Sequence, residues 1–257
     1  MNFNMNTLRI ARRLTLAKSL YRLLNRKDVR RIKNLKNKYL GRKAVILCNG
    51  PSLRSVDFSI LNDSGAIVIG LNKINLFDAD VKPRLDFICA TNTHVIEQNA
   101  EYYMQTDIPV FLEALKARHL GVSSDNIISC FPFNFISFSS NLEEGFYPGY
   151  TVTYMAMQIC YHLGFDEVAL VGCDHSFKEK GKANSETKTE GGDDSHFIKG
   201  YFSENQVWQL PDLPMSEISY SLAKINFENA GKKIYNATAG GKLELFDRIS
   251  LEEYLKS

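Results

Sequence analysis

The sequence predicts an α/β fold, a Rossmann-like doubly wound sheet of mainly parallel strands. Short apolar runs, AVILC (44–48), AIVIGL (66–71) and VALVG (168–172), are strand-sized and stop abruptly at small polar residues. Segments of helical periodicity alternate with them, the pattern of parallel strands covered by helices on both faces. The chain of 257 residues, 44% hydrophobic and 23% charged, has the make-up of a globular protein with a sizeable core.

Before the first strand, residues 1–42 read as a basic amphipathic helical arm. Residues 1–43 hold 14 Lys/Arg and one acid, Asp28, whereas the remainder holds 17 basic and 28 acidic residues. Ile10, Leu14, Ala17, Tyr21 and Leu24 recur at helical spacing, with Leu20 and Leu23 beside them. Such a helix over residues 8–43 suits an anionic membrane surface. It equally suits packing on the acidic body, or on a second copy in a homo-oligomer. No basic motif interleaved with aromatic residues points to nucleic acid.

Residues 43–257 read as one catalytic domain. After the first two runs, strands fall within 83–90, 108–112 and 127–131. Thr151 opens a helix in which Met155, Ile159 and Leu163 step by four, and Gly164 closes it as a left-handed cap. Residues 178–194, KEKGKANSETKTEGGDD, are polar and Gly-rich and predict a mobile loop. A helix at 216–230, a strand at 233–236 and a short helix at 251–255 complete the order. No apolar run reaches membrane-spanning length, and no secretory signal is visible. The five cysteines, 48, 89, 130, 160 and 173, form no C-x-x-C pair and read as reduced core residues of a cytoplasmic protein.

In doubly wound sheets, ligands bind beyond the carboxyl ends of the strands. Four such ends are polar here: Asn49 with Ser52, Asn72, Thr91 with Asn92, and Asp174 with His175. In the turn Asn49-Gly50-Pro51-Ser52, Gly50 allows close backbone approach, and Asn49 and Ser52 can bond a phosphate or ribose. The same four residues also make an ordinary β-turn, and they match neither G-x-G-x-x-G nor a Walker loop. His175 at a strand end and His196 beyond the loop are candidates for general base or phosphate ligand, against a plain hydrogen-bonded role. Asp174 can hold Mg²⁺ together with Asp193 or Asp194, cap the next segment, or orient His175. Tyr147, Tyr150, Tyr154 and Tyr201 offer hydroxyls to a leaving phosphate, and Trp208 offers a face to a base or sugar; plain packing competes for all five. His94, His119 and His162 are assigned no role.

Several motifs together resemble a known family. N-G-P-S-L, Asn72 after the second strand, G-Y-T-V-T-Y, V-G-C-D-H-S-F, D-D-S-H-F and Y-N-A-T-A-G-G-K-L-E are similar to the group related to archaeal 6-hydroxymethyl-dihydropterin pyrophosphokinase. That group includes many capsule- and lipopolysaccharide-associated proteins. More distantly, the chain resembles the bacterial sialyltransferases of glycosyltransferase family 42. The resemblance spans about residues 43–250 and implies a GT-A-like variant of the Rossmann-like fold. It implies a glycosyltransferase of surface-polysaccharide assembly, with a CMP-activated sugar of nonulosonic type as donor and a glycan or lipid-linked hydroxyl as acceptor. Asn49 and Asn72 match positions that contact the CMP moiety, Thr151 matches a threonine of a Thr-Ser-Gly turn, and Asp174 matches a strand-end aspartate. Gly50, Ser52, Thr91 and Asn92 join the donor site, His196 is the expected base, and Asp174 with His175 position it. Gly149 and Gly200 stand where the sialyltransferases carry an essential arginine and histidine. Two other outcomes stay open: a Mg²⁺-dependent pyrophosphokinase acting on a pterin-type alcohol, and a non-catalytic scaffold. The enzyme is expected in the cytoplasm, peripheral to the inner face of the membrane.

Overall fold

The structure, a computed structural model, describes residues 15–16, 18–77, 82–177, 181–188 and 195–257. Its centre is an eight-stranded sheet in which every pairing is parallel. The strands are β1 (Lys43–Leu47), β2 (Ile67–Leu71), β3 (Phe87–Ala90), β4 (Val110–Glu113), β5 (Ile127–Cys130), β6 (Glu167–Val171), β9 (Lys233–Asn236) and β10 (Asp247–Arg248). They lie in the order β10-β9-β6-β1-β2-β3-β4-β5. The chain winds outward from β1 to β5, then crosses back to β6 on the other side of β1. That reversal opens a crevice beyond the carboxyl ends of β1 and β6, the place where doubly wound sheets bind ligands.

Side-chain alternation divides the core. Val45, Leu47, Val68, Ile88, Ala169 and Val171 point to one face, with α2 (Phe58–Asn62), α3 (Thr93–Gln98), α4 (Ala100–Gln105), α5 (Ala114–His119) and α8 (Leu251–Lys256). Ala44, Ile46, Ile69, Phe111 and Leu170 point to the other, under α1 (Arg26–Leu35), α6 (Val152–Leu163) and α7 (Leu213–Asn229). Burial on both faces explains why the strands read as unbroken apolar runs. α6 is buried nearly all round and ends at Gly164, φ 94°. The polar Gln158 within it is tolerated because its amide donates to the Tyr147 carbonyl at 2.8 Å and accepts from Ser139 N at 3.0 Å. All five cysteines are buried and free.

The stretch predicted as a mobile loop, 178–194, instead contains a strand. β7 (Glu186–Lys188) pairs antiparallel with β8 (Val207–Gln209). Its side chains are polar and mostly exposed, so it carried no apolar signal. The ribbon is held by hydrogen bonds to α3 and its cap, from Asn92 to Gln209 at 2.8 Å, His94 to Glu186 at 3.0 Å and Gln98 to the Val207 carbonyl at 2.9 Å. Residues 178–180 and 189–194 of that stretch lie outside the described residues.

In the arm, Ile10, Leu14 and Ala17 also lie outside the described residues. Helical residues 18–24 run into α1 with a break at Asn25, φ −117°. Tyr21 packs at a tilt against Phe131 and donates to the Ser129 carbonyl, and Arg31 donates to the Ile127 carbonyl at 2.6 Å. Ile32 is 1% exposed within the main core. Lys18 and Arg22 pair with Glu144, and Lys27 with Asp125. Arm and body therefore share one core across the boundary drawn at residue 42. Leu16, Leu20, Leu23 and Leu24 face outward, 69%, 55%, 54% and 55% exposed. Among the described residues no helix is long and apolar enough to cross a membrane.

His162 joins arm to body: its Nε2 donates to the Ile32 carbonyl at 2.9 Å and its Nδ1 accepts from Leu142 N at 3.3 Å. Accepting at Nδ1 requires a neutral ring, and burial pushes its pKa below the usual value. Its contribution to stability is present above the ordinary histidine value of about 6.5 and is lost as pH falls through and below it. Urea unfolding is expected to show falling stability below about pH 6.5, with a shallower fall in His162→Gln. Ile32→Ala should cost about 2–5 kcal/mol in the same assay if the arm is part of the core, and almost nothing if it is a detached appendage.

Candidate active site

Two turns meet at the crevice. Beyond β1, Asn49 and Gly50 lead into a 3-10 helix, Pro51–Ser55. Beyond β6, Gly172 (φ 74°) turns the chain into Cys173, Asp174 and His175. Gly50 N donates to the Gly172 carbonyl at 2.9 Å. The carboxylate of Asp174 accepts from Ser52 Oγ at 2.8 Å and faces Ser52 N at 3.3 Å, and the Asp174 carbonyl accepts from Lys242 N at 2.8 Å. A Cβ on Gly50 would lie 2.0 Å from Asp174 Oδ2 and 2.6 Å from the Gly172 carbonyl. Since φ of Gly50 is −73°, the glycine is needed for space, not for backbone freedom. Asp174 and the Gly172 carbonyl make the close approach at Gly50, and the Ser52 hydroxyl donates to Asp174. Asp174 clamps one turn to the other.

The Mg²⁺ reading meets the same fact. Both Asp174 oxygens face Ser52, and among the described residues no group of three His, Cys, Asp or Glu side chains is arranged to hold a metal. Asp193 and Asp194 lie outside the described residues.

Beside the clamp lies a cavity of about 150 Å³, lined among others by Asn49, Gly50, Asn72, Thr151, Asp174, His175, His196 and Tyr220. Asn49 Nδ2 donates to the Leu71 carbonyl at 3.0 Å, which fixes the amide and leaves Oδ1 buried without a partner. Asn72 holds a left-handed φ of 49°, and its Oδ1 is likewise buried and unpaired. A buried unsatisfied polar group costs roughly 1–3 kcal/mol. Two of them at a strand-end crevice mark a place prepared for hydrogen-bond donors. Amide oxygens accept protons, so these two suit ribose hydroxyls or an exocyclic amine rather than phosphate oxygens. Thr151, Val152 and Thr153 line the same cavity; Thr151 caps α6, so the positive end of that helix forms the wall.

The two candidate histidines differ in setting. His175 has φ 52°, and its Nε2 lies 2.8 Å from Glu217 Oε1 on α7. His196 stacks face to face on Tyr201, centroids 4.1 Å apart, with Phe202 and Trp208 against its edge. Arg54 bonds the His196 and Phe197 carbonyls at 2.8 and 2.7 Å, and Phe197 N donates to the Asn49 carbonyl at 2.9 Å. Burial pushes the Tyr220 hydroxyl well up, keeping it neutral. The neighbouring Cys173 thiol and burial both raise Cys48, which removes it as a nucleophile.

Thr91 and Asn92 border a second, adjoining cavity of about 500 Å³, together with Lys116, Asn134 and Asn184. It shares Asn72, Tyr150, Thr151 and Val152 with the first. Asn92 is committed, capping α3 through Val95 N and donating to Gln209. Tyr154 and Tyr201 are fully buried, and Trp208 stacks on Phe202 at 5.2 Å, so these three rings pack. At Gly149, φ 65°, a Cβ would meet the Tyr154 ring at 2.2 Å, so no arginine fits there; Gly200 is open. Sequence reasoning missed Glu217, Arg54 and Tyr220. Glu217 sits in an exposed helical context without a local motif, Arg54 lies just past the N-G-P-S-L turn, and only the fold brings them in.

Crevice and strand order define a doubly wound α/β domain. Within that class, the chain belongs to the family described as 6-hydroxymethylpterin diphosphokinase MptE-like, whose model matches residues 17–180. No curated protein matches it. Its fold is shared by solved structures, two of which follow. The MAf glycosyltransferase of Magnetospirillum magneticum AMB-1 aligns at TM-score 0.51 and 16% identity over 85% of this chain and 37% of its own. The sialyltransferase CstII of Campylobacter jejuni, in complex with the substrate analogue cytidine-5'-monophosphate, aligns at TM-score 0.51 and 14% identity over 83% and 86%. This chain thus spans little more than a third of the first of these and most of the second.

Gly50→Ala should destabilise the protein by about 1–3 kcal/mol in urea unfolding, because the added methyl forces the two turns apart. Gly65, with nothing within 4 Å of its Cβ position and no unusual φ, is the control: its alanine variant is expected to be neutral.

Proposed function

We propose that this protein transfers a sugar from a nucleotide-activated donor to a hydroxyl of a glycan or lipid-linked acceptor during surface-polysaccharide assembly. A CMP-activated sugar of nonulosonic type is the donor that fits best. The observation that carries the reading is the pair of unpaired amide oxygens of Asn49 and Asn72, two residues that line the cavity at the sheet's reversal. They accept from the nucleoside's hydroxyl or amino protons. Its phosphate lies toward the first turn of α6 at Thr151–Thr153, where helix N–H groups and the dipole favour an anion. Support comes from the CMP held by the CstII structure on a similar fold. The sugar then points toward the second cavity past Tyr150, and the acceptor enters by way of Thr91 and Asn92. A histidine of the first cavity, His175 or His196, takes the acceptor's proton; such a base typically contributes about 10²–10⁴-fold.

The arm extends this reading. Its outward leucines lie on a segment rich in Lys and Arg, a surface suited to anionic headgroups beside a lipid-linked acceptor.

A second reading is diphosphate transfer from ATP, favoured by the family's description. It needs Mg²⁺, and the described carboxylates do not assemble to hold one.

Thermal unfolding with CMP, CDP, UDP, GDP and ATP, with and without Mg²⁺, separates the readings. CMP at 100 times its Kd should add about 2.7 kcal/mol without metal. Asn49→Ala and Asn72→Ala should each weaken that binding about tenfold, a loss of about 1.4 kcal/mol. Stabilisation by ATP with Mg²⁺ alone would support the kinase, and no response to any nucleotide would discard both.

A further inference from the structure

We infer that Glu217 is the positioning residue that makes His175 the proton acceptor of this site, with Nδ1 as the reacting nitrogen. The inference rests on the sugar-transfer reading above and deepens it.

Three observations carry it. First, His175 Nε2 lies 2.8 Å from Glu217 Oε1. A carboxylate only accepts, so Nε2 carries the hydrogen, and in the neutral ring Nδ1 holds the lone pair. Second, Nδ1 bonds none of the described residues, yet it is not among the buried unpaired atoms. His175 lines the first cavity. Third, His175 adopts a left-handed φ of 52°, a conformation that costs a non-glycine residue on the order of 1–2 kcal/mol. Its side chain is 6% exposed, while that of Glu217 is 58% exposed. An exposed carboxylate adds little to stability. A ring turned inward at a cost, and fixed by a carboxylate with little structural work, has the form of a base and its orienter.

The step balances as follows. The acceptor oxygen forms a bond to the anomeric carbon of the donor. The bond from that carbon to the phosphate oxygen breaks, and the nucleoside monophosphate leaves with the electron pair. The acceptor's proton goes to His175 Nδ1, and Glu217 faces the imidazolium at Nε2. Glu217 touches no reacting atom.

The test has two arms. In ¹⁵N-labelled protein without substrate, the His175 ring, assigned by its loss in His175→Gln, should show the Nε2–H tautomer. In Glu217→Ala it should shift toward a mixture of tautomers. An Nδ1–H tautomer in the native protein, or a signal unmoved by Glu217→Ala, would overturn the inference whether or not the protein transfers sugar. In transfer assays with CMP-sialic acid as donor, Glu217→Ala should lower kcat at least about tenfold with donor KM nearly constant, and Glu217→Asp should restore part of it. Unchanged kcat in a transferring protein would remove Glu217 and leave the proposed function standing. A native protein that neither binds nucleotide nor transfers sugar would remove the reading itself, while the tautomer still reports on the pair.

Discussion

Two parallel strands leave the sheet side by side and must send their chains in different directions. The room between those exits governs the rest of the structure. β1 and β6 are paired along their whole length, so the turns that follow start within backbone contact. Gly50 and Gly172 remove the two Cβ atoms that would collide there, and Asp174 fills the gained space with a carboxylate bonded to Ser52. The crevice owes its position to the strand order and its shape to this clamp. From the same turn, Asn49 reaches the Leu71 carbonyl on the neighbouring strand, and Phe197 is hung on the Asn49 carbonyl.

Costs gather around the cavity. Three non-glycine residues that line it, Asn72, Tyr150 and His175, hold left-handed backbone, and two of its amide oxygens are unsatisfied. Strain of this kind persists only where the surroundings over-determine the conformation. Here the surroundings are strands packed on both faces and a helix, α6, sealed inside the core. Rigid apolar layers hold a polar, strained rim.

The legible part of the fold was the part written in apolar residues. Runs such as VILC and VALV had to be buried on both sides, and their polar ends had to face the crevice. Asn49, Asn72, Asp174 and His175 were read as such ends, and with Thr151 and His196 they line one cavity. What was hidden depended on contacts between distant segments. The strand at 186–188 is polar and held through its edges, so no periodicity announced it. Glu217 is one acid on an ordinary helix surface until α7 is laid beside His175. The contact of Gly50 with Asp174 was hidden because the two residues are more than a hundred positions apart. His162, left without a role, proves to be a satisfied core histidine that joins α6 to the arm.

The contacts of the arm with β5 have a wider consequence. β5 closes one side of the sheet, and its Ile127 and Ser129 carbonyls point away from β4. Arg31 and Tyr21 occupy those two acceptors. The helical segment thus shields a strand border that would otherwise recruit strands from other molecules. At the opposite border, β10 is two residues long and offers little template. A shortened chain starting at β1 would bare a row of main-chain acceptors and become prone to self-association into extended sheets.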